Sequence, residues 1–222
     1  MSEATPVQRL RIVYTVEGPL RYISVLDKGS TWERLLRRAH VPMAYSQGYN
    51  PRPKLQLGTA LPVGYSSECE LLDVFMARRM PLDAFLSAIL AERPPGLGVR
   101  QVCEVPLRAL SVQARLREAL YEVQVWSDVS PTSLRQAIEA LMACKEATSR
   151  RRKGKGMVEY DLRPLILDIR HEGAQNGVHR LFMHLRNGPE GSGRPEEVLE
   201  KLGMADVRYR IHRKALILAE EE

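Results

Sequence analysis

The chain has 222 residues, of which 44% are hydrophobic and 27% charged, with a formal net charge of +6. This is ordinary globular usage and argues against a fibrous or disordered protein. No apolar run approaches the roughly 20 residues that cross a bilayer. The polar segment from Met1 to Arg9 lacks a signal-peptide pattern, so a cytoplasmic protein without membrane contact is expected.

Arg9 to Val16 alternates, with Leu10, Ile12, Tyr14 and Val16 on one face, as in a strand. Trp32, Leu35, Leu36 and Ala39 form one helical stripe. Ser30 with Glu33, or Asp27, offers its cap. After a Pro- and Gly-rich stretch, Leu55 to Val63 and Glu70 to Met76 are expected to be strands around a turn at 64–67. Pro81 to Ala91 reads as a helix that Pro81 opens and Pro94, Pro95 and Gly96 end. Gly98 to Val105 closes the first half as a strand.

The second half repeats the order. Tyr121 to Trp126 is strand-like. Ser130 and Pro131 start a helix with the stripe Leu134, Ala137, Ile138 and Leu141. A basic hairpin tip is expected before the strand-like Met157 to Leu162. Leu165 to His171 and Val178 to Arg186 flank Asn176-Gly177, a strong hairpin signal. Pro195 to Leu202 is a short helix, and Val207 to Leu218 the last strand. Two strand-helix-strand-strand-helix-strand runs predict an α+β protein of two tandem ferredoxin-like lobes, 1–106 and 119–222, joined by a connector at 107–118.

Cys69, Cys103 and Cys144 lie far apart and form no CxxC spacing, so buried free thiols are expected rather than a zinc or iron–sulfur site. The histidines, His40, His171, His179, His184 and His212, lack metal-site spacing. No phosphate-binding glycine motif or nucleophile elbow appears. No cofactor, metal or catalytic residue is therefore expected. A carboxylate such as Asp27, just ahead of a helix, reads first as a cap.

Three groups of residues suit binding to an anion. Arg150, Arg151, Arg152, Lys153 and Lys155 hold five positive charges, which leaves the rest of the chain near neutrality. Such a local excess suits contact with phosphate. Strand parity places Arg180, Phe182, His184 and Arg186 opposite Leu181, Met183 and Leu185. It likewise places Arg208, Arg210 and His212 on one face, and Trp126 with Gln124 on one face. Cations interleaved with rings suit single-stranded RNA. The loop Tyr45, Ser46, Gln47, Gly48, Tyr49, Asn50, Pro51, Arg52, Pro53 and Lys54 packs rings, amides and cations into a short segment suited to ligand recognition.

The chain resembles the radical-SAM-linked proteins, a bacterial family of unknown function often fused to, or encoded beside, radical-SAM proteins. The resemblance rests on Gly18-Pro19-Leu20-Arg21-Tyr22-Ile23-Ser24-Val25-Leu26-Asp27 and on Ala44 to Lys54. It continues in Leu61-Pro62-Val63-Gly64, Arg152-Lys153-Gly154-Lys155, Asp161 to Ile166 and Arg194 to Leu199. It implies a radical-SAM protein as partner. Val25 stands where the family usually has histidine, and Lys28, Gly29 and Ser30 also depart from its pattern. CxxxCxxC is missing, so the chain is not itself expected to be the radical enzyme.

Three functions fit these residues. The first is a non-catalytic RNA-binding module that presents RNA to its partner. The second is a metal-independent endoribonuclease drawing on Tyr45, Ser46, Lys54 and His40. The third is a protein-interaction adaptor with a cationic surface.

Overall fold

The computed structural model describes residues 5–47, 49–154 and 156–220. The chain forms two compact units, Met1–Arg115 and Leu116–Glu222.

In the first unit the elements run β1 (Gln8–Val16), α1 (Val25–Arg38), β2 (Leu55–Leu57), β3 (Ser66–Met76), α2 (Leu82–Glu92), β4 (Leu97–Val105) and the single-turn α3 (Val112–Arg115). The sheet order is β4-β1-β3-β2, antiparallel throughout, which is the ferredoxin-like arrangement. Leu10, Ile12, Trp32, Leu35, Leu36, Phe85 and Ile89 are buried between sheet and helices. Each such side chain stabilises the unit by about 1.5–3 kcal/mol relative to exposure. Tyr14 meets Trp32 edge to face at 5.1 Å, a favourable quadrupole arrangement.

Two local expectations change. The cap of α1 is neither Ser30 nor Asp27. Ser24 accepts from the Asp27 backbone N–H at 3.1 Å and donates its hydroxyl to the Asp27 carboxylate at 2.7 Å. A residue in the third helical position thus completes a reciprocal cap. The strand expected over 55–63 stops at Leu57, because Gly58 turns away and the Leu61 carbonyl accepts from the buried ammonium of Lys28.

In the second unit the elements run β5 (Leu116–Trp126), α4 (Pro131–Ala143), β6 (Thr148–Lys153), β7 (Gly156–Asp161), β8 (Ile166–Gln175), β9 (Val178–Gly188), β10 (Gly191–Ser192), α5 (Pro195–Lys201) and β11 (Arg208–Leu218). The order β11-β5-β9-β8 repeats the topology of the first unit, and β10 extends the end of β9. β6 and β7 pair only with each other, as a hairpin inserted between α4 and β8. Ser130 caps α4 through the Ser133 N–H at 3.1 Å. Asn176 and Gly177 take φ of 52° and 73°, as the two-residue β8–β9 turn requires.

The expected lobe boundaries can be set beside these units. Of the residues expected to connect the lobes, Val112–Arg115 form α3 and Leu116 to Glu118 already belong to β5. No helix among the described residues is long and apolar enough to cross a membrane.

Candidate nucleic-acid interface

The second unit's sheet carries helices on one side. Its strands sort their side chains by parity. Leu181, Met183, Leu185, Tyr121, Val123, Val125 and Ile211 are buried. On the opposite face, one row across the sheet reads Arg210, Gln124, Arg180. The row on one side pairs Arg208 with Trp126, and the row on the other runs His212, Glu122, Phe182, Arg170. Beyond these lie His184 and Arg186.

Arg180, Arg186 and Arg210 are exposed, and among the described residues no carboxylate pairs with them. The two rings are half-buried and each lies under a guanidinium. The Arg208 guanidinium carbon is 4.6 Å from the Trp126 ring centre, and that of Arg170 is 4.1 Å from the Phe182 centre. These are cation–π distances. Guanidinium planes stack on bases as well as on rings, so a ring under an arginine still offers a stacking surface. Carboxylates break the cationic field at three points, one of them Glu122 between His212 and Phe182. Glu118 holds His184 at 2.5 Å, and Asp168 holds Arg170 at 3.0 Å.

The basic hairpin is built differently from expectation. The arginine run is the strand β6 itself, and the tip falls at Gly154 and beyond. Strand alternation then splits the run. Arg150 and Arg152 are exposed or nearly so, and Arg150 pairs with Glu159 across the hairpin at 2.9 Å. Arg151 turns inward, where its guanidinium bonds both Glu197 oxygens, the Tyr160 hydroxyl and the Ser192 carbonyl. The Glu197 hydrogen bonds hold the Arg151 guanidinium above its usual range, against the opposing effect of burial. Burial, with Glu197 second, pushes the Tyr160 phenol up to about 12. Arg151 therefore fastens the hairpin to α5 through Nε and one terminal nitrogen. Lys153 ends β6, and Lys155 lies outside the described residues.

In the first unit the Tyr45 to Lys54 segment is a closed loop. Tyr45 bridges Pro53, the Ser46 N–H donates to the Arg52 carbonyl at 2.7 Å, and the Arg52 N–H donates to the Ser46 hydroxyl at 3.0 Å. Ser46 is thus a loop clasp. Tyr49 is fully exposed, Gln47, Asn50 and Arg52 are exposed, Tyr45 is partly so, and the Lys54 backbone enters the ladder with Phe75. Gly48 lies outside the described residues. His40 ends α1 with a φ of 52°, a terminating role that glycine usually fills.

The remaining histidines offer one close pair. His171 Nε2 lies 3.1 Å from His179 Nδ1, and His171 Nδ1 is buried without a partner. Burial, then His179 and Arg135, lowers the His171 pKa. Among the described residues no three His, Cys, Asp or Glu side chains cluster as metal ligands. Arg170 was not singled out by sequence, because register shifts at both ends of its strand blur the parity that would have revealed it.

A family model described as an uncharacterized protein conserved in bacteria, DUF2344, matches residues 9–195. The chain belongs to the DUF2344 family. The matched span of this DUF2344 protein includes the Tyr45 to Lys54 loop and, on the exposed face, Gln124, Trp126, Arg180, Phe182 and Arg186, whereas Arg208, Arg210 and His212 lie beyond it. Comparison with curated proteins found no match. Among solved structures, a chain of a Cbf5-Nop10-Gar1 complex is similar with a TM-score of 0.53 at 11% identity, over 93% of this chain and 48% of that one. A chain of an H/ACA RNP bound to a substrate RNA containing 2′-deoxyuridine gives 0.46 at 10% identity, over 93% and 46%. The DUF2344 chain thus spans about half the length of these two solved chains, and the likeness is one of fold.

Proposed function

We propose that this protein is a non-catalytic RNA-binding module that holds single-stranded RNA for a radical-SAM partner protein. The observation that carries the reading is the row Arg210, Gln124, Arg180, flanked by Trp126 and Phe182. Cations without carboxylate partners meet phosphates, an amide reads base edges, and the arginine-covered rings stack bases. Arg186, Arg150 and Arg152 extend the phosphate contacts. Tyr49, Asn50, Arg52, Tyr45, Gln47 and Lys54 add a second contact in the other unit. The fold shared with a chain of a Cbf5-Nop10-Gar1 complex is compatible with this reading. The radical-SAM partner rests on the sequence resemblance.

Fluorescence anisotropy of the full chain with single-stranded RNA, duplex RNA and DNA over a salt series tests this reading. Binding should favour single-stranded RNA. The double variant Arg180→Ala/Arg210→Ala should weaken every sequence alike and flatten the log–log salt slope by about two units. An unchanged slope in that variant removes this face from the interface. Tight binding to a radical-SAM protein that persists after RNase treatment, with no RNA binding, would favour the adaptor instead.

A further inference from the structure

The segment Gly18 to Asp27 takes no part in that proposal, yet it is fixed in place more thoroughly than a simple connection needs. Arg21 donates twice to the Gly64 carbonyl, at 3.0 and 2.8 Å, and the Gly64 N–H returns a bond to the Arg21 carbonyl at 2.6 Å. Lys28, 6% exposed, donates to the Ile23 carbonyl at 2.9 Å. The Glu17 N–H donates to the Gly96 carbonyl at 2.8 Å, which draws the turn after α2 against this segment. Gly96 has a φ of 86°, and a Cβ there would fall 2.4 Å from the Glu17 carbonyl oxygen, so only glycine allows the approach.

These contacts frame a groove of about 420 Å³, lined by Leu20, Ile23, Asp27, Thr31, Arg34, Arg38 and Pro94. The size falls within the range of small-ligand sites. Its floor is apolar. Its wall is one stripe of α1, because residues 27, 31, 34 and 38 recur at helical spacing. The stripe is polarised. Asp27 stands at one end, with one carboxylate oxygen bonded to Ser24. Arg34 and Arg38 stand at the other, one turn apart. Arg38 is half committed, through Nε and one terminal nitrogen, to Glu92. Arg34 is exposed, and among the described residues it has no ion-pair partner. Beneath the floor, sharing Leu20, Ile23 and Thr31 with it, is a crevice of about 10 Å³ bordered by Trp32, whose Nε1 is buried without an acceptor.

A ligand for this groove needs an apolar plane over Leu20, Ile23 and Pro94, a hydrogen-bond donor facing Asp27, and an anion facing Arg34 and Arg38. Seven residues separate Asp27 from Arg34, or about 10 Å of helix rise. That separation ill suits a free α-amino acid, whose two charges flank one carbon. It suits a nucleoside 5′-phosphate, which carries donors on its sugar and base and a dianion at its far end. Arginine forks match phosphate oxygens bidentately. We propose that the groove along α1 binds a nucleoside 5′-phosphate, with Arg34 and Arg38 on the phosphate and Asp27 on a donor of the nucleoside. The site lies wholly in the first unit and stands whether or not the second unit's sheet binds RNA.

The same chemistry occurs in a free mononucleotide and at the phosphorylated 5′ end of an RNA. Calorimetric titration of the full chain with 5′-AMP and 5′-GMP, and with adenosine and inorganic phosphate, tests the site. At least one monophosphate should bind at least tenfold more tightly than adenosine or phosphate. Arg34→Ala should remove at least tenfold of that affinity with an unchanged melting temperature. Asp27→Asn should weaken the nucleotide and leave inorganic phosphate unweakened. An eight-nucleotide RNA with a 5′-phosphate is then compared with its 5′-hydroxyl form. A preference for the phosphate that Arg34→Ala abolishes assigns the site to RNA ends. Equal binding of the two RNAs alongside mononucleotide binding assigns it to free nucleotide. Absence of saturable binding by both the monophosphates and the phosphorylated RNA overturns the proposal, as does binding that Arg34→Ala leaves intact or that phosphate alone reproduces. Arg180→Ala/Arg210→Ala should not affect mononucleotide binding, so this site and the RNA face can fail separately.

Discussion

The two units share a topology and use the sheet face opposite their helices in contrary ways. In the first unit that face is closed. Arg9 and Arg11 on β1 are buried, and both bond the fully buried Asp73 of β3, with Nε to oxygen distances of 3.1 and 2.7 Å. Arg9 also donates to the carbonyls of Ala109 and Leu110, and Val112 is buried beside Gly58 and Leu71. In the second unit the matching strand β5 alternates between buried and half-exposed positions, and its charges stay at the surface. A covered face must neutralise its charges internally, because an unpaired buried ion is costly. An open face can keep them for a ligand. The fold alone therefore does not set the two faces apart; the pairing of the arginines does.

The largest effect expected from breaking this contrast is on stability. Asp73→Ala removes the one carboxylate that two buried guanidiniums share and should cost about 3–5 kcal/mol in urea denaturation. The matched change on the open face, Glu118→Gln, should cost well under about 1 kcal/mol. Similar losses for both would erase the distinction between the faces. Next is affinity. Phe182→Ala should weaken single-stranded RNA binding by about 1–3 kcal/mol, as loss of one stacking surface. Its own effect on the melting temperature should be small, since the ring is half-exposed.

The hairpin sharpens the comparison within the second unit. Arg151→Ala leaves the buried carboxylate of Glu197 without its main partner and should cost about 1–3 kcal/mol. Arg152→Ala should cost almost nothing and act only on RNA binding. The pH dependence of the same anchor has a definite sign. The Tyr160 phenol is held up to about 12, above the value near 10 of an unfolded chain. Its contribution is whole below pH 10 and is lost as pH rises toward 12, which thermal melts in Tyr160→Phe should not show.

The smallest effect is expected at the His171–His179 pair. The lowered His171 pKa means that the unfolded chain binds the proton first. Stability should therefore fall as pH drops below about 6.5. Protection factors against hydrogen exchange along β8 and β9 should fall there, and His171→Gln should reduce the change.

Much of this organisation is legible along the chain because it is local. Alternation at Leu10 to Val16 and at Leu181 to Leu185, the Ser130-Pro131 start and the Asn176-Gly177 turn each act through neighbours in sequence. The start of α1 was ambiguous between Asp27 and Ser30, and the Ser24 to Asp27 bond places it a turn or more earlier than Ser30 would. The arginine run looked like one patch until β6 gave it alternation. What stayed hidden is non-local. Asp73 meets arginines more than sixty residues away, and the groove along α1 needs Pro94 brought to it by Gly96. Arg34 looked like any solvated helix cation, and nothing in its neighbours marks it otherwise.

The clasp of Arg9 on Ala109 and Leu110 spans a hundred residues of chain. During synthesis Asp73 can reach the Arg9 guanidinium first, and only the two carbonyl bonds must wait for nearly the whole first unit to emerge. Closing so long a loop is entropically slow. A nascent or truncated chain ending near Pro106 would carry every strand and both long helices of the first unit, and would still lack the two carbonyls that complete the hydrogen bonding of Arg9. The hydrogen bonding of the first strand is therefore completed only beyond the unit's last strand, just ahead of α3.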